Sequence, residues 1–199
     1  VNLKNFFLTY PVLFFIAFIE GGVVMAVEII GGHLLTASFG SSVYLWSGIL
    51  GTSLAGLAAG YYIGSLSAAK ATMKRLYLVA AGIAVLTASI PLIKDVIVDA
   101  ASGLELKAGI TVACLVLIFP ALLLCGIVSP YIIHLITLGG KHAGRQAGTV
   151  YSVSTAGGIA FTFVTGFVLI PYLGIRLSIL LIAASLLLCI LPALFGKKK

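Results

Sequence analysis

The chain has 199 residues, of which 61% are hydrophobic and 9% charged, with a net charge of +7 and a mean hydropathy of +1.24. A soluble domain carries about 25% charged residues, so this composition excludes a soluble globular protein and predicts one immersed in a bilayer. The 12 Lys and Arg residues are scattered among apolar runs and form no single patch, which argues against nucleic acid as a partner.

Crossing a bilayer takes about 20 consecutive apolar residues. Runs of that kind, read between breakers, predict an all-α polytopic membrane protein with six transmembrane helices in a single transmembrane helical domain, residues 1–199. The expected spans are 5–30, 42–66, 76–93, 107–138, 148–171 and 173–195. Their direction follows from the basic residues, which concentrate on the cytoplasmic side of membrane proteins. An inside N-terminus puts Lys4, Lys70, Lys74, Arg75, Lys141, Arg145 and Lys197–Lys199 on one side. Only Lys94, Lys107 and Arg176 then lie outside, together with Asp95, Asp99 and Glu105. Both termini are therefore expected in the cytoplasm, in a multi-pass protein of the cell inner membrane.

The first span opens as "VNLKNFFLTYPVLFFIAF", which has the charge and apolar run of a signal peptide but no small-residue cleavage site. It continues into "FIEGGVVMAVEIIGGHLL", where Glu20 and Glu28 stand among aliphatic, aromatic and glycine residues. An acid at mid-membrane costs roughly 2.5–3.5 kcal/mol on insertion scales, and the cost persists where a partner, a wet cavity or protonation relieves it. Eight helical steps separate the two acids by about 12 Å along the axis and about 80° around it. They can line one broad cavity but cannot share a proton. For Glu20, a structural hydrogen bond and a cation or proton site are both open readings. Glu28 precedes "IIGGHLL", so a break and His33 follow it, an arrangement expected of a cavity mouth at the outer face. Glu28, Glu20 and His33 are the candidate solute- or proton-binding residues.

The second span carries a ladder of small residues four apart, Gly48, Thr52, Gly56, Gly60, Gly64 and Ala68. Helices in lipid associate through close backbone approach along such faces. The ladder is thus expected to form a tight seam, either within one chain or with a homo-oligomeric or unlike membrane-protein partner. Tyr10, Tyr44 and Trp46 suit anchoring at the membrane surface. In the fourth run, too long to cross straight, Pro120 and Pro130 predict a kink or an end that extends past the membrane surface. Cys114 and Cys125 share a helix face and, like Cys189, fall in apolar runs without metal or CxxC spacing, so all three are read as packing residues. His134 is read as a capping or snorkelling residue and His142 as part of a basic inner loop. "SSVYLWSGILG" (41–51) and "GTVYSVSTAGG" (148–158) align on Val-Tyr, Ser and Gly, a hint of an inverted three-plus-three repeat. The dinucleotide, zincin and hydrolase motifs are missing, and "LGGKHAGRQAG" (138–148) lacks Walker spacing.

The stretch "VEIIGGHLLTASFGSSVYLWSGILGTSLAGLAAGYYIG" (27–64) resembles the membrane portion of bacterial membrane-bound spermidine synthase-like proteins. The likeness continues through "VSPYIIHL" (128–135) and "AGRQAGTVYSVSTAGGIAFTFVTGFVLIPYLG" (143–174), over half the chain and in the same order. In that family the bundle precedes a cytoplasmic aminopropyltransferase domain that binds decarboxylated S-adenosylmethionine and a polyamine. The sequence, whose last residues are "LFGKKK", includes none of the catalytic groups of that domain, so no enzyme activity, cofactor or metal is expected of this chain. Where the family often has an arginine after the glutamate, this sequence has His33. The bundle also resembles one half of a major-facilitator transporter, although "SLSAAKATMKR" (65–75) lacks the aspartate of that superfamily's signature. The resemblance implies binding or movement of a small, polyamine-like cationic solute. The alternatives are a non-catalytic anchor or accessory subunit and, third, one module of a larger enzyme.

Overall fold

A computed structural model describes residues 3–137 and 143–189, with side chains from Tyr10 onward. The expected loop residues Lys141 and His142, the side chain of Lys4, and the tail from residue 190, with Lys197–Lys199, lie outside the described residues.

The described chain is all-helical. Helix α1 covers Leu3–Phe39, α2 Val43–Ser67, α3 Met73–Ser102, α4 Leu106–Leu117, α5 Phe119–Thr137, α6 Ala143–Val164 and α7 Ile170–Leu188. A 3-10 turn, Ala68–Lys70, follows α2, and a π turn, Thr165–Leu169, links α6 to α7. Hydrocarbon offers a peptide group no partner, so helical hydrogen bonding continues through sequences that would break it in water. This corrects the expected end of the first span at Ile30. Helix α1 runs through Gly31 and Gly32, which are contact points instead of a hinge: a Cβ on Gly32 would stand 2.7 Å from the Trp46 ring, and one on Gly31 2.9 Å from Ile118. The helix stops at Gly40, whose φ of 72° suits glycine and whose N–H donates to the Thr36 carbonyl at 2.9 Å. Caps set the next two starts. Ser42 Oγ accepts the Leu45 N–H at 3.2 Å, and Thr72 Oγ1 accepts that of Arg75 at 3.3 Å.

The fourth pass breaks where Pro120 demands it, at Ile118, because a proline gives no N–H and crowds the carbonyl four residues back. Pro91 and Pro130 sit inside α3 and α5 without ending them. The third span is accordingly longer than the expected 76–93. Among the described residues, five helices are long and apolar enough to cross a membrane, one of them a run of 46 residues, Ala143–Leu188. Unbroken, that run would measure about 69 Å, more than twice the hydrocarbon thickness. Gly174, at φ 73° and ψ 169°, interrupts it. Arg176 then shares a crevice with Asp95 near the end of α3, and the last turn comes back to Tyr77 near its start. Helix α7 therefore returns antiparallel to α3.

The principal pairings are α1 with α6, α2 with α5 and α3 with α7. The glycine ladder is a seam inside the chain. Helix α2 lies parallel to α4–α5 along its whole length, from Lys107 over the Tyr44 ring, through Gly48 against Ile110, Gly56 against Leu122 and Gly64 against Ile127, to the Tyr131 hydroxyl donating to Ser67 Oγ at 3.0 Å. Thr52 is buried in the same row.

Two crossings repeat each other. At one, a Cβ on Gly157 would overlap the Phe18 carbonyl and one on Gly21 the Ser154 carbonyl. At the other, Gly60 meets the Leu123 carbonyl and Gly126 the Leu57 carbonyl, the latter at 2.6 Å. Exchanging α1 with α4–α5, α2 with α6 and α3 with α7 maps one crossing on the other and reverses every helix, which is the geometry of an inverted repeat. The register differs from the one expected, because Ser154 is equivalent to Leu57 and Gly157 to Gly60. The Val-Tyr alignment of 43 with 150 is out of step by ten residues, since backbone contact selects for missing side chains, not for matching ones.

Candidate functional site

Glu20 lies beside the first crossing. The glycines after it bring α6 against α1: Ser154 packs on Gly21, and the Phe161 ring on Gly22, 2.5 Å from where a Cβ would be. That approach delivers the Ser154 hydroxyl to the carboxylate, donating to Glu20 Oε2 at 3.2 Å. Glu20 is 2% exposed and is the one acid among the buried polar residues described. Under the repeat its counterpart is Cys125, and that of Ser154 is Leu57. The acid–hydroxyl pair therefore occurs in one half of the fold, against a thiol and an aliphatic chain in the other.

A cavity of about 330 Å³ opens at this carboxyl, walled by α1, α2 and α6. Helix α1 supplies Glu20, Val24 and Met25, α2 supplies Leu57 and Tyr61, and α6 supplies Ser154, Thr155, Ile159, Thr162 and Phe163. The Tyr61 and Tyr151 rings meet edge-on at 6.4 Å between α2 and α6. Thr162 Oγ1 is spent on the Gly158 carbonyl at 2.8 Å. Glu20, held by Ser154, and Thr155 and Tyr61 are left to orient a ligand between apolar walls, a division of labour usual in small-molecule sites.

The other expected site residues are placed elsewhere. Glu28 is half-buried and faces α2, where the Ser53 hydroxyl stands beside it, fully buried and short of ordinary hydrogen-bond geometry. Glu28 does not line the Glu20 cavity. His33 is exposed, and its Nδ1 pairs with the Ile29 carbonyl at 3.0 Å, one turn back on its own helix. Five helical steps put it about 140° around the axis from Glu28, so the two do not converge. His134 lies in the last turn of α5, where a cation favours the helix C-terminus. Ser154, Thr155 and Tyr61 were not singled out by sequence reasoning; the hydroxyl cluster in "YSVST" (151–155), within an apolar run, is a signal for Ser154 and Thr155, and Tyr61 has none beyond its place beside the small-residue ladder. Cys114, Cys125 and Cys189 are free and buried.

Comparisons with protein-family models, with curated proteins and with solved structures found no match to this chain.

Proposed function

We propose that the chain is an integral protein of the cell inner membrane, with both termini cytoplasmic, that binds or moves a small cationic solute at Glu20. One observation carries the reading: a carboxylate buried inside a membrane bundle forms part of the wall of a cavity large enough for an organic molecule. Buried acids in spans are expensive and by default mark solute or proton pathways. The methylene-friendly walls at Val24, Met25 and Leu57 suit an aliphatic amine, and the sequence resemblance to spermidine synthase-like membrane domains supports the same chemistry. The inverted repeat supports movement as well as binding, because two halves of opposite direction can rock about a central site. The reading is tested with protein in lipid nanodiscs and labelled butylamine. Glu20→Gln is expected to weaken binding at least tenfold, about 1.4 kcal/mol, and unchanged binding would remove the carboxylate from the site.

An accessory-subunit reading keeps one supporting observation. The ladder on α2 is occupied by α5, but α6 carries a second row, Gly144, Gly148, Ser152 and Ala156, exposed along its length with open space at both glycines. Purification in mild detergent with an unlike membrane protein in fixed ratio, lost on Gly148→Leu, would favour it.

A further inference from the structure

The cavity at Glu20 has an entrance, and where that entrance faces constrains what can enter. Its outer edge is formed by Ile159, 57% exposed, Phe163, 55% exposed, and Tyr61, 37% exposed. By sequence position these residues fall inside the expected spans 42–66 and 148–171. Ile159 is sixteen residues beyond the start of α6 and fifteen before Gly174, and Tyr61 lies within the long α2 pass. Side chains exposed at that depth contact acyl chains, not water. Helices α2 and α6, which flank the opening, are not among the main packed pairs, because each is pinned to a different partner by its own glycine crossing. A gap between them is thus a consequence of the repeat.

We infer that the cavity takes its ligand sideways from the hydrocarbon through the gap between α2 and α6, and that the ligand is a single-amine amphiphile with its nitrogen at Glu20 and its alkyl chain in the gap. This rests on the reading of Glu20 as the cation site. A primary amine crosses hydrocarbon as its free base, whereas a polyamine carries several charges, each costly to desolvate. One carboxyl group meets one amine. The occupied site has no net charge whether the pair is ammonium with carboxylate or amine with carboxylic acid. Ser154 holds the carboxyl from behind, and Ile159 and Phe163 offer the emerging chain an apolar surface continuous with lipid. The long alkyl chain adds contact that butylamine lacks.

The test uses the full chain in nanodiscs and dodecylamine carrying a diazirine at the far end of its chain, with sites of photolabelling mapped by mass spectrometry. Labelling is expected on Ile159, Phe163 and their α6 neighbours, to fall about tenfold or more in Glu20→Gln, and to resist excess spermidine. The melting temperature of Glu20→Gln is followed in parallel, and the matching dodecanol probe sets the level of labelling by lipid-like contact alone. Two results overturn the inference but leave the cation site standing: Glu20-dependent labelling confined to residues away from the gap, or displacement of dodecylamine by an equal concentration of spermidine. Labelling indifferent to Glu20→Gln, together with unchanged butylamine binding, overturns both readings.

Discussion

Gly157 is the residue on which the cavity wall turns. With any side chain there, the Phe18 carbonyl could not come as close as it does, and Ser154 would be held away from Glu20. Gly157→Val is expected to cost about 1–3 kcal/mol as overpacking, read as a lower melting temperature in detergent and as weaker amine binding. Gly51 has open space where a Cβ would go, so Gly51→Ala is expected to shift stability by less than about 0.5 kcal/mol. Glu20→Gln belongs to the opposite class. It keeps the volume and a hydrogen-bonding group opposite Ser154 and removes the capacity for charge, so the melting temperature should hold or rise while binding is lost. A fall in stability without loss of binding would mark Glu20 as a packing residue.

Among the helices, the informative one is the long run from Ala143 to Leu188, because a single residue decides whether it makes one pass or two. Gly174 occupies a φ/ψ region that is essentially glycine's alone, at φ 73° and ψ 169°. Gly174→Ala should destabilise the fold by about 1–3 kcal/mol, measured as reduced thermal stability of the purified protein. The glycines of α1 work otherwise. Gly31-Gly32 reads as a break in a sequence, since glycine is a poor helix former in water, yet it lies in continuous helix because in lipid no solvent competes for the peptide hydrogen bonds. The packing of Trp46 and Ile118 on those glycines is what the sequence pattern does not reveal.

For the molecule as a whole, the charge distribution makes a prediction about orientation. Ala69 lies in the short turn after α2 and Gly103 in the turn after α3, at opposite ends of one pass, and both are exposed. With the termini in the cytoplasm, Gly103→Cys is expected to react with an impermeant maleimide added outside intact cells, and Ala69→Cys only after the membrane is opened. The reverse pattern would invert the topology. Cys114, Cys125 and Cys189 are buried and should contribute little background. The repeat also belongs to this scale. It relates helices about a hundred residues apart through contacts of backbone on backbone, and such contacts leave almost no trace in side-chain identity.

Composition and apolar length by themselves determined that this is an all-helical, multi-pass chain, because the cost of burying peptide groups in hydrocarbon admits few other solutions. The small-residue ladder of α2 and the kink at Pro120 were likewise legible, being local properties of spacing and of a missing N–H. Tertiary structure alone decided which helix each glycine meets, and therefore which of two similar glutamates acquires a hydroxyl partner and a cavity. Glu20 and Glu28 differ little in their neighbours along the chain. They differ in what crosses them, and a crossing is set by the shapes of two surfaces brought together in space.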